Sequence, residues 1–192
     1  MACGYTPPPV RRQMNAFAHL VLPSRFATGQ YFYVRPADAN KFRFNARLYD
    51  AARVDTTAGA EIPVVRDGDF RSDVIALLNV PVGAQYRHTL RIYDADGRDG
   101  ALARIRIYSG DELEPRLTVV RELRQFSPRV TTTALLPAHP AFAQDELSQL
   151  LPLADLEPLR VEIEPVDPVV RLWAFISITN NVTHHVTLVT PQ

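Results

Sequence analysis

The sequence predicts an all-β protein, an antiparallel β-sandwich of Ig-like or jelly-roll-like kind with one short helix. Three observations carry that expectation. Apolar and polar residues alternate strictly through several runs; Pro, Gly, Asp and Asn interrupt those runs at close intervals; and the run 172–178 is apolar on both faces. A side-chain period of two marks a half-buried strand, and many short strands between frequent turns pack as a sandwich or a barrel.

In chain order, residues 1–15 form a Pro-rich lead. Tyr5-Thr6-Pro7-Pro8-Pro9 reads as an extended polyproline spacer. The sandwich domain then covers 16–192, with Gln125-Phe126-Ser127-Pro128 as the point at which two sub-sandwiches would divide. Strands are expected at 18–22 and 31–35. The run 41–49 alternates most cleanly, with Phe42, Phe44, Ala46 and Leu48 on one face and Lys41, Arg43, Asn45 and Arg47 on the other. Further strands are expected at 61–65 and 74–80. Runs 88–93 and 103–108 point Leu90, Ile92, Ile105 and Ile107 inward, and the turn-forming stretch 94–100 between them predicts a hairpin with a long loop.

Strands at 117–123, 129–133, 159–163, 171–179 and 182–189 complete the set. The run 172–178 predicts a central strand, with Trp173 and Phe175 in the core, joined through Asn180-Asn181 to the last strand. One segment departs from the period of two. Between 140 and 151, Phe142, Ala143, Leu147, Leu150 and Leu151 follow helical spacing, with Pro140 suited to a first turn and Pro152 to a stop.

Charge excludes some classes. Lys plus Arg number 21 and Asp plus Glu number 21, so there is no net field to favour nucleic acid or an anionic membrane. No apolar run approaches the roughly 18 residues of a membrane-spanning helix. All but one of the 21 cations are Arg, the exception being Lys41. Planar guanidinium groups suit fixed ion-pair ladders. Arg43 and Arg47 are expected to pair with Glu162 and Glu164 across strands or, alternatively, to line a polar binding face.

The chemistry-bearing residue types form no catalytic pattern, so no enzyme and no cofactor is expected. There is no metal-ligating His spacing and no nucleophile elbow around a Ser. The loop Asp94-x-Asp96-Gly97-x-Asp99-Gly100 resembles a calcium loop, but Arg98 stands where a further ligand belongs, and a self-satisfied turn is the simpler expectation. Cys3, the only cysteine, excludes an intrachain disulfide. Ala2-Cys3 before a flexible lead resembles a bacterial lipoprotein junction, making Cys3 a candidate lipidation site.

The final stretch, Trp173-Ala174-Phe175 through Asn180-Asn181 to Thr187, resembles the closing hairpin of β-sandwich modules in secreted, multi-module bacterial proteins. The Thr190-Pro191 end is also similar, as are Arg71-Ser72-Asp73 with its apolar run to Asn79 and the strand Leu90-Arg91-Ile92-Tyr93. The resemblance covers the chain from about Phe70 and carries no catalytic residues. It implies a module for interaction, adhesion or scaffolding in the cell envelope or outside the cell, with a protein or glycan partner. The rival expectation is a carbohydrate-binding module, with Tyr31 and Tyr33, and Trp173 and Phe175 if solvent-facing, as a stacking platform.

Overall fold

The structure, a computed structural model, describes residues 36–41, 43–48, 60–125, 141–153 and 156–192. The strands expected at 18–22, 31–35 and 129–133 lie outside the described residues, as do Cys3, Tyr31 and Tyr33. The described strands are β1 (Ala46–Leu48), β2 (Ala60–Ile62), β3 (Ile75–Val80), β4 (Tyr86–Asp94), β5 (Leu102–Ser109), β6 (Leu117–Glu122), β7 (Arg124–Gln125), β8 (Ala141–Glu146), β9 (Leu159–Pro165), β10 (Leu172–Asn180) and β11 (Val186–Val189).

These strands form a β-sandwich. One sheet has the order β11-β10-β4-β8-β7, the facing sheet β3-β9-β5-β6, and β1 pairs with β2 separately; every ladder is antiparallel. Period-two patterning explains the two layers. In β9, Leu159, Val161 and Ile163 turn inward, and in β5 Ala103, Ile105 and Ile107 do the same. They meet Leu90, Ile92, Ala174 and Ile176 of the other sheet in one core.

Two devices shape the edges. After β6, fully buried Leu123 exchanges backbone hydrogen bonds with the Gly100–Ala101 segment, and the chain then crosses to the other sheet as β7. In β3 the register shifts between Leu77 and Val80, with Asn79 at φ 56, a left-handed bulge that makes this edge a poor template for further pairing.

Three expectations are corrected. First, the segment after residue 140 is a strand for most of its length, followed by a single helical turn, α1 (Leu147–Leu150). Ala141 and Ala143 face the core while the whole of β8 pairs with β4, so sheet pairing outweighs a helical spacing carried by few residues. Second, β4 and β5 form no hairpin, because they belong to different sheets; the 94–100 stretch is an arch, with Gly97 (φ 64) and Gly100 (φ 84) at its left-handed positions. Third, of the expected strand 41–49 only β1 is described as strand, preceded by a 3-10 turn at Pro36–Lys41. The closing hairpin of β10 and β11 is present, but residues 182–185, expected as strand, belong to its connection and the last strand begins at Val186; Asn180 Oδ1 holds the turn by accepting from the backbone N–H groups of Val182 (2.9 Å) and Thr183 (3.0 Å).

Candidate functional site

The outward face of the four-stranded sheet carries a connected polar ladder. Register sets Arg104 opposite Glu164, Arg106 opposite Glu162 and Tyr108 opposite Arg160. Arg104 Nη1 donates to Glu164 Oε1, and Arg106 Nη2 donates to the same oxygen at 2.6 Å. Tyr108 Oη donates to Glu162 Oε2 at 3.1 Å, Arg160 Nε lies 3.3 Å from Glu162 Oε1, and the Arg160 guanidinium sits 4.1 Å above the Tyr108 ring. Burial, then the hydrogen bond to Glu162 and its charge, pushes the Tyr108 phenol above its ordinary pKa.

Around the ladder stand Val74, Leu78, Leu102, Val120 and Val166, each 37 to 42% or, for Val120, 45% exposed. The face thus presents exposed aliphatic side chains around an Arg–Glu–Tyr centre. Alternation puts all five on this face, with Val166 donating its backbone N–H to Leu102 at 2.9 Å.

This ladder corrects the pairing expected from sequence. Glu162 and Glu164 engage arginines of β5 and β9, whereas Arg43, ahead of β1, and Arg47, within it, are exposed, with Arg47 in register with Glu61 of β2. A shallow cleft of ≈ 520 Å³ separates Phe44 and the Ile62–Pro63–Val64 run from β11, and neither arginine lines it. The alternating Arg104/Arg106 and Glu162/Glu164 pairs are visible in the sequence, but only strand order makes them neighbours.

The outward face of the five-stranded sheet is aromatic at one end. Tyr93 stacks on Phe175 (6.3 Å, 3°) and Phe142 (6.4 Å, 26°), and Trp173 lies 5.4 Å from Phe175 and 6.3 Å from Tyr93. Arg91 covers Phe175 at 5.6 Å. Trp173 and Phe175 are therefore buried, but in this second layer and outside the inter-sheet core. At 8% and 7% exposed they offer a sugar ring no open platform.

The 94–100 arch satisfies itself. Fully buried Asp94 accepts from the backbone N–H groups of Asp96 (3.2 Å) and Arg98 (2.6 Å). The Asp96 carboxylate receives Arg98 and Arg171, each at 3.1 Å, and Arg171 also binds Asp67 at 3.1 Å. These two carboxylates raise the pKa of the Arg171 guanidinium. Guanidinium groups thus occupy the side of Asp96 that a cation would need; among the described residues no three His, Cys, Asp or Glu side chains are grouped to hold a metal ion.

His88 is the buried titratable group at the other end of β4. At 1% exposed, its Nε2 lies 2.5 Å from the Pro81 carbonyl, and Tyr86 stands edge-on at 6.1 Å. Burial lowers its pKa below the ordinary histidine value, against smaller upward pulls from the Pro81 carbonyl and the charge of Glu146. The folded state therefore favours neutral imidazole. Its contribution to stability is full above the unfolded pKa of about 6.5 and is lost as pH falls through the lower folded value. Urea midpoints of the wild type should decline across that window, and the decline should be shallower in His88→Gln. Equal slopes would show that His88 does not set the pH dependence.

Comparison of the chain with family models, curated proteins and solved structures gave no match.

Proposed function

We propose that this chain is a non-enzymatic, extracytoplasmic β-sandwich module for interaction, adhesion or scaffolding, and that the outward face of the four-stranded sheet receives a protein partner. The observation supporting this reading is the exposed aliphatic rim around the Arg–Glu–Tyr ladder. An apolar rim contributes area that water leaves on contact, and a ladder with its charges already oriented loses little side-chain freedom on binding. The extracytoplasmic part rests on the similarity of 172–187 and 70–81 to modules of secreted bacterial proteins. The carbohydrate reading ranks second, because Trp173 and Phe175 are covered and Tyr31 and Tyr33 lie outside the described residues.

A photoreactive residue placed at Leu102 or Val120 of the full chain should give a saturable adduct of one defined mass, and the same residue at exposed Thr187 of β11 should not. Adducts equal at all three positions would remove the face as a contact surface. Substrate turnover abolished by one carboxylate or serine substitution would overturn the non-enzymatic part. Glycan-array binding lost in Tyr31→Ala or Tyr33→Ala would promote the carbohydrate reading. Cell fractionation tests location independently.

A further inference from the structure

The contact face of the four-stranded sheet is self-complementary, and we propose that its partner is a second copy of this chain; this rests on the reading of that face as a contact surface. The strand order β3-β9-β5-β6 places an Arg-bearing strand and a Glu-bearing strand side by side at the centre. A twofold axis parallel to the strands, between β5 and β9, turns the face onto itself. It sets β5 over β9 of the second copy and β3 over β6, and it keeps each residue at its own height along the strands.

The register then fixes every central meeting. Arg104 faces Glu164 of the second copy, Arg106 faces Glu162, and Tyr108 faces Arg160, because these residues are cross-strand neighbours at equal heights within one copy. Leu102 faces Val166, its hydrogen-bonded neighbour in the same copy. Toward the edges, Val120 lies at the height of Arg104, and Val74, one residue before the Ile75–Ile163 pair, at the height of Glu164; these valines meet across the axis. Four of the five aliphatics thus meet aliphatics, Leu78 beyond the β3 register shift being the exception, and the Arg104–Glu164 and Arg106–Glu162 meetings are of opposite charge.

Electrostatics favour the arrangement. The side chains of Arg104, Arg106, Glu162 and Glu164 are only 19 to 37% exposed, so most of their desolvation has already occurred within one copy. Docking gives each charge a second opposite neighbour across the interface, which offsets the remaining loss of hydration. Four strands about 4.8 Å apart, carrying about four outward rows each, span about 500 Å² per copy, so a dimer buries about 1,000 Å². That area lies at the low end of specific interfaces and fits a concentration-dependent dimer, weakened by salt.

The test combines association with a geometric trap, using the full chain. Sedimentation velocity should show the wild type dimerising with rising concentration. Arg104→Glu/Arg106→Glu and Glu162→Arg/Glu164→Arg, each checked for folding by circular dichroism, should each weaken association at least tenfold, and mixing the two should restore it. In a Cys3→Ser background, a short bis-maleimide crosslinker should join Val74→Cys to Val120→Cys when the two chains are mixed. Neither chain should crosslink to itself, because like positions stand about three strand spacings apart, roughly 14 Å, on opposite edges.

A monomer at all concentrations with no mixed crosslink would overturn the proposal, and so would a dimer in which Val74→Cys links to itself. A defined adduct at Leu102 or Val120 with a different protein, alongside a monomeric chain, would overturn the second copy as partner while leaving the contact face in place. Loss of site dependence in the photocrosslinking would instead remove the face itself.

Discussion

Trp173→Ala should destabilise the protein by about 3–5 kcal/mol, a large share of the roughly 5–15 kcal/mol that holds a domain folded. The indole is 8% exposed and touches two ring neighbours, Tyr93 and Phe175, on the outward side of β10, while Leu172, Ala174 and Ile176 occupy the inward side. β10 is thus stabilised by apolar layers on both of its faces, between neighbours β4 and β11. Truncation removes the ring contacts and leaves a space that Tyr93 and Phe175 cannot fill without losing their own stacking. Urea denaturation followed by circular dichroism measures the loss, and Trp173→Phe, which keeps a ring, should cost clearly less. Because this is the only tryptophan, its wild-type emission should be blue-shifted and resistant to acrylamide. Red-shifted, readily quenched emission would place the indole in water and contradict the second layer.

Ile163→Ala should cost about 2–5 kcal/mol through a different layer. Ile163 is paired with Ile75 on one side and Ile105 on the other, and Ile105 is paired with Val119, so one apolar row crosses all four strands of the sheet. Ile75, Ile105 and Ile163 are fully buried against the facing sheet. Removing the central side chain of that row opens a cavity between two close-packed sheets whose ladders resist collapse. Ile163→Val, one methyl smaller, should cost about 0.5–1.5 kcal/mol. The comparison separates cavity from chemistry. An alanine variant within 1 kcal/mol of wild type would mean that the row is not packed as described.

The two substitutions also divide what was legible in the residues from what was not. Ile105, Ile107, Leu90 and Ile92 alternate with polar neighbours, and their inward orientation follows from period two alone. Trp173 is buried, as its apolar strand implies, but that strand is apolar on both faces, so periodicity alone does not say which face meets the other sheet. The segment 141–146 shows the limit from the other side. Its few apolar residues fit a helical spacing as well as a strand, and pairing with β4 decided between them.

By itself the sequence determined the local alternatives: where most of the described strands run, which side of most of them is apolar, where turns interrupt them, and that the chain reverses after Asn180 into the last hairpin. These are short-range properties, set by backbone sterics and by side-chain period within a few residues. Tertiary structure alone decided which strands lie side by side. It made the 94–100 stretch an arch between sheets, put Arg104 and Arg106 beside Glu164 and Glu162, and left Arg47 on the separate β1–β2 pair. Strand order depends on burying many apolar faces at once against long-range partners, and any single strand is equally satisfied by several neighbours. The outward face of the four-stranded sheet is a product of that order, so its residues could be read from the sequence but their arrangement could not.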